Sequence, residues 1–293
     1  MTDQPGLTAG QAAIRLPGHM AVRAREVLSG RMPPVTPRNA ATVMLLRPGG
    51  GAGDAAVASS APGMQVYMLR RTSSMAFAPG AYVFPGGSVD ERDAHTGVGW
   101  AGPSAAEWGE ALDAPPELAR ALVCAAVRET FEESGVLLAG PASDTVVTDT
   151  SGGDWEADRR ALLSGSVSLA ELLHRRQLVL RSDLLSPWSR WITPVTEERR
   201  YDTRFFAAAL PGGQRARHVG EEADKTAWVA PAEALTAASR QRISLLPPTA
   251  VTLAELRDCG QVSAVLTARR PIVALMPEVV LDHDDAWLTL PAG

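Results

Sequence analysis

Three glutamates carry the chemistry open to this chain. In Arg128-Glu129-Thr130-Phe131-Glu132-Glu133-Ser134-Gly135-Val136 they stand at i, i+3 and i+4, a spacing that gathers three carboxylates on one face of a helix. Like charges so close repel, and the cluster costs stability unless something positive sits against it. With Glu129 marking one side, Val123, Val127 and Phe131 fall roughly opposite at 3.6 residues per turn, with Cys124 nearby. The pattern predicts a helix with one face in a core and the other presenting acids. A solvated surface face is the alternative for any run of glutamates.

The local context favours the first reading. Pro115 and Pro116 suit a first helical turn, Asp113 is placed to cap it, and Gly135 suits the left-handed position that ends it. The acids therefore occupy the last two turns, where the helix dipole also disfavours negative charge. A segment that accepts both penalties is better suited to hold divalent cations than to decorate a surface.

The 293 residues suffice for one large domain or two small ones, and 45% hydrophobic with 21% charged residues is ordinary for a globular protein. A net charge of -5 without a Lys/Arg run argues against a nucleic-acid partner. Cys124 and Cys259 lie far apart, which fits a reducing compartment and excludes a disulfide framework. Residues 1–30 lack a signal-type apolar core, and no apolar run reaches about 18 residues, so neither export nor a membrane span is expected and the chain reads as cytoplasmic. None of the five histidines has ligand spacing.

The elements that must position the acids follow from periodicity and punctuation. Residues 1–38 read as an N-terminal arm, partly disordered, with a short helix over 20–28. Strands are predicted over 40–46 and 64–69, joined across a Gly/Ala/Ser-rich loop as a hairpin, and a short extended run over 81–84. Pro85-Gly86-Gly87 reads as a sharp turn whose glycines allow positive φ and close backbone approach. A helical turn near 105–112 precedes the acid-bearing helix. Helices are expected over 155–163 and 168–176, the latter with Ser168 and Glu171 as a capping box. Strands over 188–193, 204–210 and 227–230, helices over 231–240 and 248–258, and two short strands around His283-Asp284-Asp285 complete the chain. No repeat is visible, so the fold class is α/β (α+β), a mixed sheet sandwiched between helices.

Gly87 together with Arg128 to Val136 resembles the box of the Nudix hydrolase superfamily, G-x5-E-x7-R-E-U-x-E-E-x-G-U with U aliphatic. Arg128, Glu129, Glu132, Glu133, Gly135 and Val136 match, while Thr130 replaces the aliphatic residue. Asp93 stands where the first glutamate belongs, and 34 residues, 94–127, separate it from Arg128 where the pattern has seven. An excess of about 27 residues is thermodynamically cheap as a loop insertion. The interruption is similar to that of the long-chain Nudix subgroup that includes peroxisomal coenzyme A diphosphatases. Further likeness lies in Met68-Leu69-Arg70-Arg71, Ala78-Pro79-Gly80, residues 188–194 and residues 200–206.

The resemblance implies a Nudix domain over 39–260, with insertions at about 94–114 and 139–185, and a C-terminal β extension, 261–293, packed on it. It implies hydrolysis of the pyrophosphate in a nucleoside diphosphate derivative: coenzyme A, acyl-coenzyme A, NADH or ADP-ribose. Hard Mg²⁺ or Mn²⁺ would be held by Glu129, Glu132 and Glu133 with the Gly87 carbonyl as a further ligand. Glu129, Glu132 and Arg128 are the implied catalytic residues; Arg128 orients a glutamate or is a plain surface arginine. Asp93 contributes through water or a hydrogen bond, or marks a decayed site. Glu222, or Glu221 beside it, supplies the base or is a solvated loop acid. Arg70, Arg71, Gly86 and Arg204 are the candidate substrate contacts. Arg70 and Arg71 could equally be strand-end charges, and Arg199, Arg200 and Arg204 loop solubilisers. A coenzyme A signature is half matched: Arg71, Gly80 and Phe84 hold its spacing, whereas Thr72 and Ala76 depart from it. A catalytically silent nucleotide-binding or regulatory module is the alternative; an isopentenyl diphosphate type isomerase lacks its Cys and His near the box. A homodimer is left open.

Overall fold

The computed structural model describes residues 13–50, 63–72, 78–218, 223–283 and 285–290. The chain divides into two compact units. The larger holds Ala40–Ser189 and Arg204–Ile272; the smaller holds the described residues of Met1–Asn39, Arg190–Thr203 and Val273–Gly293.

Within the larger unit runs a mixed sheet in the order Ser244–Leu245, Ala81–Val83, Met64–Arg71, 40–48, 204–209, 186–189. Met64–Arg71 returns antiparallel to Arg38–Pro48 with Leu46 opposite Val66, the hairpin the sequence predicts; 51–62 of its loop lie outside the described residues. Ala223–Val229 adds to Met64–Arg71, and Gly86–Ser88 to Arg38–Pro48. The Pro-Gly-Gly turn is thus corrected to a short strand. Neither Gly86 nor Gly87 has positive φ. What requires glycine there is close approach: a Cβ on Gly86 would lie 2.5 Å from the Ala41 carbonyl oxygen and 2.7 Å from Thr42 Cα. Backbone cannot yield as a side chain can, so Gly86→Ala should lower the unfolding free energy by about 1–3 kcal/mol, read from the denaturant midpoint.

The acid-bearing helix spans Pro116–Ser134. Ala121 to Val127 are buried without interruption, so its middle is buried on all sides and only the last turns are amphipathic. Alanines at 119, 125 and 126 let neighbouring elements approach this helix closely. Asp113 does not cap it; it ends the preceding helix, Ala105–Leu112, in a left-handed conformation with φ 50°, and Pro115 stands at the N-cap of the acid-bearing helix.

The interruption of the box folds into structure. Trp100–Ala101 pairs in parallel with Val179–Arg181, which also receives Ala139–Gly140. A small three-stranded sheet therefore joins the two expected insertions to each other. Ser168 and Glu171 form the predicted capping box on Leu169–Arg175. In the smaller unit Ala13–Arg15, Asp285–Thr289 and Glu278–Asp282 make a second three-stranded sheet, beside the helix Gly18–Leu28. Its hairpin is the one predicted around residue 283; Asp284 lies outside the described residues.

Candidate active site

The positive charge that three clustered carboxylates demand is Arg128. Its Nε donates to Asp93 Oδ1 at 3.0 Å and its Nη2 to Asp93 Oδ2 at 2.9 Å and to the Ser88 carbonyl at 2.8 Å. Its Nη1 reaches Glu129 Oε1 at 2.8 Å and Glu132 Oε2 at 3.3 Å. Burial opposes the charge on Arg128, but the bonds to Asp93 and the charges of Glu129 and Glu132 outweigh it and raise its pKa. A plain surface arginine is excluded.

Asp93 is 4% exposed despite the shortened side chain and the long insertion after it. A 3-10 turn, Glu91–Ala94, holds it: Asp90 Oδ1 accepts from the Arg92 amide at 2.8 Å, and Asp93 Oδ2 accepts from the Asp90 amide at 2.9 Å. The spacing Asp90-Glu91-Arg92-Asp93 is the sequence signal that could have located this turn.

Glu129 lies against the Gly86–Ser88 strand, where a Cβ on Gly87 would come within 2.3 Å of Glu129 Oε1. Burial pushes its carboxyl well above the usual range; Arg128 opposes the rise and Glu132 adds to it. Glu133 points to the same strand and accepts from the Gly86 amide at 2.8 Å. Strand and helix end are thus stitched together by glutamates on adjacent turns. Thr130 is buried, and its hydroxyl donates back to the Ala126 carbonyl at 2.7 Å, which removes the penalty of a polar group in an aliphatic place.

The end of the helix carries residues that sequence reasoning missed. Gly135 closes it with φ 71°. Arg159 Nη1 donates to the Glu132 carbonyl at 2.9 Å, the Arg217 amide to the Ser134 carbonyl at 3.0 Å, and Thr150 Oγ1 to the Gly135 carbonyl at 2.6 Å. These satisfy carbonyls that a helix leaves without partners and set guanidinium charge at the negative end of its dipole. Arg159 is 3% exposed and bonded to Glu156 at 2.6 and 2.9 Å. Arg159→Met should destabilise the protein by about 2–3 kcal/mol in a denaturant titration, the scale of a charged hydrogen bond lost in burial.

Other predicted residues lie elsewhere. Arg70 is bound to Asp224 through both guanidinium nitrogens at 2.6 and 2.5 Å, and Arg71 follows it on the same strand. Arg204, a candidate substrate contact, is 1% exposed within Tyr201–Ala209. Arg200 donates to the carbonyls of Thr193 and Val35 within the smaller unit, a structural use. Glu221, Glu222 and Ala76 lie outside the described residues.

Buried carboxylate oxygens with an excess of negative charge fit a hard divalent cation by donor chemistry. Among the described residues no three His, Cys, Asp or Glu side chains converge as ligands, and the Arg128 guanidinium bonds to both Glu129 and Glu132.

The fold is that of a Nudix domain. A Nudix hydrolase structure from Alicyclobacillus acidocaldarius is similar, with a TM-score of 0.66 and 26% identity over 81% of this chain and 98% of that one. Residues 104–256 match the family described as the NUDT19 Nudix domain, and the chain belongs to that family. Among curated relatives, the acyl-coenzyme A diphosphatase NUDT19 of Gallus gallus is 29% identical over 244 residues, 66% of this chain and 61% of that protein. Its Homo sapiens counterpart is 27% identical over 239 residues, 69% of this chain and 63% of that protein. The matches thus span about six tenths of these relatives' length. Among the described residues no helix is long and apolar enough to cross a membrane.

Proposed function

We propose that this chain is a metal-dependent diphosphatase that cleaves the pyrophosphate of coenzyme A or acyl-coenzyme A, in preference to the alternatives NADH and ADP-ribose. The carrying observation is the Asp93, Arg128, Glu129, Glu132 network, intact across an interrupted box. The relatives named as acyl-coenzyme A diphosphatases support the choice of substrate.

In this reading Glu129, Glu132 and Glu133, with the Gly87 carbonyl, would hold Mg²⁺ or Mn²⁺. Such an ion offsets phosphate charge, stabilises charge that develops in the transition state and lowers the pKa of a bound water. Arg128 fixes the rotamers of Glu129 and Glu132, so their oxygens are oriented before substrate arrives. Asp93 holds Arg128 in turn and takes no direct part. Arg159 fixes the backbone from which Glu132 projects. Gly86 keeps the strand close enough for its amide to hold Glu133. Glu222 is retained as the proposed source of the base, and Arg70 and Arg71 as substrate contacts.

The free, buried Cys124, whose thiol is pushed up to about 12 by burial, suits a reducing compartment, and we place the protein in the cytoplasm. Incubation with each candidate substrate plus Mg²⁺ or Mn²⁺, with products identified by mass, tests the function. Turnover of coenzyme A or its acyl derivatives is expected; inactivity across the set, equal to that of Glu132→Gln, overturns it.

A further inference from the structure

A cavity lies at the Ser244–Leu245 edge of the same sheet. Four strands meet there in register: Lys225 pairs with Arg70, Arg70 with Tyr82, and Tyr82 with Leu245. Residues directly paired across a sheet project to the same face about 4.8 Å apart, so two cations and an aromatic ring stand in one row. The turn after the helix Pro231–Ser239 brings Gln241, with φ 56°, and Arg242 to the rim. Together with Ser244 these residues line a cavity of about 670 Å³, within the size range of small-molecule sites.

Cations outnumber acids there, with Arg70, Lys225 and Arg242 against Asp224. Arg70 is matched by Asp224, whereas Lys225 and Arg242 have no ion pair among the described residues. In a chain of net charge -5, such a concentration of guanidinium and ammonium groups around one hollow attracts an anion. Its donors suit a phosphate: a fork from arginine, a point charge from lysine, and neutral partners in Gln241, Ser244 and Tyr82.

Its place ties it to the acids. Tyr82 is four residues before Gly86, whose amide holds Glu133, and four extended residues span at most about 14 Å. Tyr82 and Gly86 are therefore close enough for one nucleotide to span the distance between them. We propose that this cavity binds a phosphomonoester carried by the nucleotide, separate from the pyrophosphate that is cut, so that Lys225, Arg242 and Arg70 select substrates bearing that extra phosphate. The inference rests on the diphosphatase reading for its purpose but not for its test.

Lys225 and Arg242 are both exposed, and Lys225→Ala/Arg242→Ala should fold normally. Calorimetric titration of the full chain with adenosine 3′,5′-bisphosphate and with AMP is the direct measurement. The bisphosphate is expected to bind about tenfold or more tightly than AMP, the scale of a charge-assisted contact, and the double variant to lose that preference. Equal binding of the two probes by the unaltered chain, or an unchanged preference in the variant, overturns the proposal. A parallel assay compares KM for coenzyme A with KM for its 3′-dephospho form: the variant should raise only the first. Failure to hydrolyse either compound would count against the diphosphatase reading alone, because the titration still decides what the cavity binds.

Discussion

Arg128→Met is expected to lower the unfolding free energy by about 3–5 kcal/mol, among the largest effects open to a single substitution in this protein. The reason is asymmetry. The arginine bonds three buried carboxylates and the Ser88 carbonyl, and methionine fills its volume but answers none of them. Asp93, Glu129 and Glu132 would then face one another without a counter-charge, and each must be protonated, hydrated or displaced. A denaturant titration checks the magnitude, and a loss below about 1 kcal/mol would show that the network adds little. Asp93→Asn in the same background partitions the effect. If Asp93 acts through Arg128, the double variant should be much less destabilised than the sum of the single ones.

Glu132→Gln should separate activity from stability. Its side chain keeps volume and one acceptor, its single bond from Arg128 is long at 3.3 Å, and its charge adds to the penalty on Glu129. Removing that charge relieves repulsion, so the unfolding midpoint should hold or rise. Hydrolysis should meanwhile fall about 100-fold or more, because Glu132 is a ligand in the proposed function and a missing ligand would remove several kcal/mol of transition-state stabilisation at about 1.4 kcal/mol per tenfold. Residues kept at a cost to stability are the signature of a functional site. A variant equally active, or one that loses stability and activity together, would refute that role for Glu132.

Much of the fold is local information and could be read as such. The helix ends at Gly135, the capping box at Ser168 and Glu171, and the hairpin between Leu46 and Val66 follow from periodicity and from residues with narrow conformational preferences. Pro85-Gly86-Gly87 misled because glycine serves two needs: left-handed backbone, and contact too close for a Cβ. Sequence cannot tell which applies when the neighbour is distant; here it is the Ala41 backbone in one case and Glu129 in the other.

By itself the sequence determined that three carboxylates share a helix end, that this end is left-handed at Gly135, and that the residues around them resemble a Nudix box. Those are consequences of 3.6 residues per turn and of what glycine permits, both set within a few positions along the chain. Only the tertiary structure decided that Asp93 reaches Arg128 across 35 positions, that the two insertions pair with each other, and that Arg159 and Arg217 close the helix. The physical reason is that such contacts are made between distant segments whose loop-closure cost rises only slowly with length, so spacing in the chain carries almost no record of them.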